Sequence, residues 1–242
     1  DYNKLRMLIR KDKEFAHDAS VIQTLVSQGF VTGEIKEGFP AEDIANDNNF
    51  ISLLYYFGMV TIGGRYQGDT KFIIPNEVVR EQIFSYLLDA YRDNDLTYDD
   101  YDIRKKEQLM AYCGDFKPFF QYIADSIYTF ASQRDRQKGE SFVHGFTLAL
   151  TSLCRFYRPI SELDNQNGYA DIFLRPRQEI YDDMEHSYII ELKYLNSKAT
   201  DAQVASSIEQ AKAQVCCYAD TVNAKEQIGT TTLHKVYVVY RG

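Results

Sequence analysis

Glu191 and Lys193 stand two residues apart inside an apolar run, Ser187–Leu195. Side chains alternate along a strand, so these two share one face and Ile190 and Leu192 share the other. Upstream, Asp171 sits in a second apolar run, Tyr169–Leu174. If the two runs pair as a hairpin, Asp171 lies beside Glu191, and two carboxylates and an ammonium converge on one sheet face. That grouping suits metal-assisted phosphodiester hydrolysis. A hard divalent cation such as Mg²⁺ or Mn²⁺ prefers oxygen ligands. Asp171, Glu191 and the Leu192 main-chain carbonyl form such a set, and Glu140 on a preceding helix adds a carboxylate directly or through water. The cation would lower the pKa of a bound water and neutralise charge as the phosphate reacts. Lys193 would sit against the attacking water or a phosphate oxygen.

An acidic residue two before a lysine carries no information alone. The chain has the pattern at Glu34/Lys36, Asp69/Lys71, Asp115/Lys117 and Glu191/Lys193. Only the last lies in an apolar β run with an aspartate-bearing run just before it. Its charges interrupt that run, and burying charge without a partner or a purpose is expensive. Strands with polar edge residues are the plain alternative.

The elements that must hold these residues follow from periodicity. Helical patterns cover Glu107–Ala131, with a break at Gly114–Pro118, then Glu140–Phe156. Three β runs follow, Tyr157–Leu163, Tyr169–Leu174 and Ser187–Leu195, then a helix Ala202–Ala219 and a strand His234–Tyr240. Upstream, helices are expected at Ala19–Gln28, Phe50–Phe57 and Asn76–Tyr91. Met59–Ile62 and Lys71–Ile74 read as a hairpin whose loop holds Gly63, Gly64 and Gly68. The run Asp89–Asp102 holds six aspartates and reads as a solvated connector, placing a boundary at 102/103.

The ordered motifs resemble the PD-(D/E)XK nuclease superfamily, and more narrowly the nuclease-like domain found after a bacterial AAA-ATPase-like domain. In that group the first helix carries Glu-x-x-x-His, matched by Glu140 and His144. Gly-Arg-x-Asp stands here as Gly168, Tyr169, Ala170, Asp171, with tyrosine in the arginine's place. Glu-x-Lys is intact at Glu191 and Lys193. Ala-x-x-Gln and a tyrosine on the next helix are matched by Ala211, Gln214 and Tyr218. Upstream, Ser52–Gly58 with Thr61 and Ile62, and Ile74, Pro75, Asn76, resemble the end of the ATPase-like region.

The resemblance implies an α/β (α+β) fold. A restriction-endonuclease-like core of helix, three strands, helix, strand (103–242) follows a small, mainly helical, winged-helix-like unit (1–102). It implies DNA as substrate, Mg²⁺ or Mn²⁺ as cofactor, and Asp171, Glu191, Lys193, Glu140, Gln214 and His144 as site residues. It also implies an ATPase-like region upstream in the same parent chain. No Gly-x-x-x-x-Gly-Lys-(Ser/Thr) run occurs, so this chain is expected neither to bind nor to hydrolyse ATP. The chain begins at Asp1, and it is expected to be a piece of a longer protein.

Composition bounds the reading. At 242 residues the chain makes one large domain or two small ones. No apolar run approaches the length of a membrane span. Four cysteines show no zinc spacing, and reduced thiols in a cytoplasmic protein are expected. The net charge is −8, and the acidic excess lies wholly upstream of Ile103. That argues against tight nonspecific DNA binding but not against gripping a phosphate through metal ions. The 19 tyrosines and 15 phenylalanines fall mostly at core spacing rather than as a base-stacking platform.

Other residues have two readings each. His144 shares a helix face with Glu140 and either orients it or the substrate, or packs between elements. Gln214 either reaches phosphate or water, or faces solvent; Glu209 and Gln210 are weaker versions of the same idea. Glu162 is a further candidate carboxylate. Arg134, Arg136 and Lys138 either steer a phosphate backbone or form a solvated loop. The competing class is a nuclease fold retained without catalysis, binding nucleic acid or docking on a partner protein. Tyr169 in the arginine's place motivates it.

Overall fold

The computed structural model describes residues 15–40, 43, 46–93, 98–132, 140–165, 168–219 and 226–241. They fall into two compact units, Asp1–Tyr91 and Arg92–Gly242. Seven helices and two sheets are present among the described residues. None of these helices is long and apolar enough to cross a membrane.

The upstream unit runs α1 (Phe15–Gln28), β1 (Phe30–Gly33), α2 (Asp47–Tyr56), β2 (Thr61–Tyr66), β3 (Asp69–Ile73) and α3 (Glu77–Asp93). Its sheet is antiparallel with order β1-β3-β2. β1 is an addition to the expected elements: four residues are too few to show a period, and pairing of Phe30 with Ile73 holds them extended. The hairpin turn is Gln67-Gly68, both with positive φ (52° and 100°), the backbone that suits a two-residue connection. Gly63 and Gly64 therefore lie in β2 instead of the loop. A Cβ on Gly63 would stand 2.7 Å from the Ile73 side chain, so the close approach of β3 requires glycine there. α2 starts three residues earlier than its apolar run because Asn46 caps it, accepting from the Asn48 amide. Ile22, Leu25, Phe50, Leu54, Phe72, Ile83 and Leu87 form the buried interior.

The acidic run expected as a connector is helical at both ends. α3 continues to Asp93, and α4 (Asp100–Cys113) begins inside it, so the expected boundary at 102/103 falls within α4. The Asp99 carboxylate accepts from the Tyr101 and Asp102 amides. Aspartates are stabilised at a helix N-terminus, where main-chain amides lack partners. Charge density alone does not distinguish that from a linker.

The downstream unit continues with α5 (Lys117–Ser132), α6 (Glu140–Ser152), β4 (Tyr157–Asn165), β5 (Gly168–Pro176), β6 (His186–Leu195), α7 (Asp201–Ala219) and β7 (Thr232–Arg241). The aromatic-rich stretch breaks where expected, at Gly114, which caps α4 at φ 68°. α6 stops at Ser152, short of Phe156. The sheet order is β4-β5-β6-β7; the first three strands are antiparallel neighbours and β7 runs parallel to β6. α7 is the crossover that a parallel pair needs.

Two contacts fix the start of β6 against α4. The Tyr188 hydroxyl donates to the Met110 carbonyl at 2.8 Å, and the Glu185 amide donates to the Ala111 carbonyl at 3.2 Å. Val215, Tyr218 and Ala219 of α7 pack on Phe173 and Ile189. Those two share a sheet face with Asp171, Glu191 and Lys193. Ile172, Leu174, Ile190 and Leu192 alternate onto the other face and are buried there. All four cysteines are free thiols, and only Cys154 is buried.

Candidate functional site

β5 and β6 pair only briefly. The register joins Leu174 to Tyr188, Phe173 to Ile189 and Ile172 to Ile190, and ends there. β6 stays paired with β7 along its whole length, from His186 to Leu195. Beyond Ile190 the β5 edge of β6 is therefore open, and the Asp171 side chain fills the gap. Its Oδ2 accepts from the Leu192 amide at 2.7 Å. In an extended residue the amide and carbonyl point to the same side, so the Leu192 carbonyl lies on the edge that Asp171 occupies.

Glu191 is almost completely buried, at 2 % exposure. Its Oε1 takes the Lys193 ammonium at 2.8 Å, while its Oε2 is buried with no hydrogen-bond partner. Burial, followed by the negative charge of Asp171, pushes the Glu191 carboxyl up to about 7; Lys193 and the Asp171 main chain pull the other way. The site thus holds a carboxylate whose charge is poorly satisfied by the protein alone. That is the condition in which a bound cation is most stabilising.

The other expected residues take the following positions. His144, on α6, has its Nε2 2.8 Å from the Asp171 carbonyl oxygen. It ties the helix to the β5 residue that carries the carboxylate. Gln214 hydrogen-bonds the Tyr218 side chain one helical turn on. Glu140 is the first residue of α6; its side chain, that of Glu162, and the Arg134, Arg136, Lys138 cluster lie outside the described residues. Among the described residues no group of three or more His, Cys, Asp and Glu gathers as a metal cage. The donors available there are two carboxylates and a main-chain carbonyl edge, an all-oxygen set suited to a hard cation.

Tyr218, matched in sequence only as part of the α7 motif, is coupled to the same group. Burial, then the charges of Glu191 and Asp171, raise its phenol above the ordinary value, while Lys193 and Gln214 lower it. Its hydroxyl therefore lies within the electrostatic reach of all three central residues. The signal was its position four residues after Gln214, which puts both on one helix face.

Residues 138–242 match the family model of the PD-(D/E)XK nuclease superfamily. The matched segment holds α6, β4 to β7 and α7, and with them Asp171, Glu191, Lys193, His144 and Gln214. That superfamily comprises, in general, metal-dependent nucleases, which usually use Mg²⁺ or Mn²⁺. No curated protein and no solved structure matches the chain. The match lies wholly within the downstream unit.

Proposed function

We propose that the downstream unit is a metal-dependent nuclease hydrolysing DNA phosphodiester bonds, the C-terminal part of a longer, ATPase-linked protein. The observation that carries this is the buried Glu191 carboxylate beside Asp171 and Lys193, at the point where β5 and β6 part. Asp171, Glu191, the Leu192 carbonyl and Glu140 would hold Mg²⁺ or Mn²⁺. The bound cation would supply an acidified water and charge neutralisation at the phosphate.

The chain's own residues do the rest. Asp171 is oriented by the Leu192 amide and, through its main chain, by His144. Lys193, 2.8 Å from Glu191, would hold the attacking water or a phosphate oxygen. Gln214 and Tyr218 line the α7 side and offer hydrogen bonds to the phosphate or to water. In this reading residues 103–242 carry the chemistry. Residues 1–102 are a winged-helix-like end of an ATPase-like region, supported by helices with a three-stranded sheet of order β1-β3-β2. A cytoplasmic setting accords with the free thiols.

The test is Mn²⁺ calorimetry and nicking of supercoiled DNA on the native chain, Lys193→Ala, and Asp171→Ala with Glu191→Ala. Binding and nicking in the native chain are expected, with binding lost in the double variant and nicking lost in both. A native chain that binds no Mn²⁺, with or without DNA, refutes the metal site and favours a noncatalytic nuclease-fold module.

A further inference from the structure

A groove of about 450 Å³ opens beside the site, between the end of β6, the 196–200 loop and the first half of α7. Two elements lead from it toward the site. On β6, Leu195 lines the groove and follows Glu191 and Lys193 on the same strand face. On α7, Gln203, Ser207 and Gln210 line it; helical spacing carries the same stripe on to Gln214 and Tyr218.

The lining residues are mostly polar, with Ser206, Ser207 and Gln210 able to donate or accept, and the two loop-bound amides favour donation. Gln203 Oε1 accepts from the Thr200 amide at 2.8 Å, and Asn196 Oδ1 accepts from the Lys198 amide at 2.8 Å. With both amide oxygens engaged by the loop, what these side chains offer a ligand is N–H donors. Lys198 adds an ammonium, and no carboxylate lines the groove. The two acids of α7 are each matched by a cation: Asp201 by Arg241 at 2.9 Å and Glu209 by Lys212 at 2.8 Å. In a chain of net charge −8, this is a donor-rich, acid-free concavity next to the reacting centre. Its volume suits about one nucleotide, whose phosphate and base present acceptors.

We infer that this groove holds the nucleotide flanking the scissile phosphate on one nucleic-acid strand, an inference that rests on the nuclease reading above. The experiment uses the whole chain and a fluorescein-labelled single-stranded oligonucleotide. Anisotropy is measured at low salt without divalent metal, and Mn²⁺ affinity is measured separately by calorimetry. The variant is Asn196→Asp with Gln203→Glu. It keeps both oxygens that the loop amides need but replaces the donors with negative charge. Strand affinity is expected to fall by more than about tenfold, and the loss should shrink as salt rises. Mn²⁺ affinity should be no weaker, and the melting temperature unchanged. A folded double variant that binds the strand as well as the native chain overturns the inference. So does a native chain that binds Mn²⁺ but no strand, which leaves the metal reading standing. Inorganic phosphate binding the native chain as tightly as the strand also overturns it. Strand binding lost in the variant, in a chain that never binds Mn²⁺, supports the groove and sinks the metal site instead.

Discussion

Replacing Glu191 by glutamine should stabilise the protein increasingly as pH rises from about 4.5 to about 7, and fully above that. The carboxyl rises from 4.5 to about 7 in the folded chain because burial and the Asp171 charge both oppose ionisation. Between those values the folded state holds a proton that the unfolded state has released, so stability falls as pH rises through the window. The whole rise corresponds to about 3 kcal/mol, present below pH 4.5 and lost once pH exceeds about 7. Glutamine has the same shape as the protonated acid and cannot ionise. The variant should therefore match the native chain near about pH 4.5 and exceed it by about 3 kcal/mol near about pH 8.5. Urea unfolding followed by circular dichroism, with both chains at several pH values and without divalent metal, measures the difference directly. Taking the difference cancels titration of groups common to both chains. A variant no more stable than the native chain at about pH 8.5, or an advantage that does not change with pH, refutes the reasoning.

Asp171→Asn removes the charge that helps raise Glu191, so the pH at which that stability is lost should move down; the same unfolding series reads it. His144→Ala should cost about 1–2 kcal/mol by breaking the contact with the Asp171 carbonyl, and nicking should fall through kcat more than KM, since Asp171 loses its anchor. Tyr218→Phe keeps the packing on Phe173 and Ile189 and should change stability by less than about 1.5 kcal/mol, with nicking reduced several-fold in a single-turnover assay. Gly114→Ala should destabilise by about 1–2 kcal/mol, read from the urea midpoint, because φ is 68° and the new Cβ would lie 3.2 Å from the His186 ring.

The strand pair that carries the site was legible because its charges interrupt apolar runs. Alternation then put Glu191 and Lys193 on one face with no further input. The side chain of Asp171 was placed beside Glu191, but its bond to the Leu192 amide was not foreseeable. That bond depends on β5 and β6 parting after Ile190 while β6 stays paired with β7. His144 had two readings in sequence, and its contact with the Asp171 carbonyl is to main chain, which no side-chain pattern encodes. At Asp89–Asp102 the two compact units do divide, at 91/92, yet the run is helical at both ends. Aspartates favour linkers and helix starts alike, and only the caps tell them apart. β1 escaped for the opposite reason, since its strand conformation is imposed by β3 rather than by its own four residues.

The two central carboxylates lie toward the open end of the β5–β6 hairpin, away from its connection at 177–185. The 196–200 loop lies at the carboxylate end. The 177–185 connection is itself pinned, by Gln178 to Met184 and Thr230 and by Glu185 to Ala111, so it anchors the strands at the end away from the carboxylates. Divergence in what the protein recognises belongs at the opposite end, where a few loop residues can be exchanged while the strands beneath them keep Asp171 and Glu191 in register.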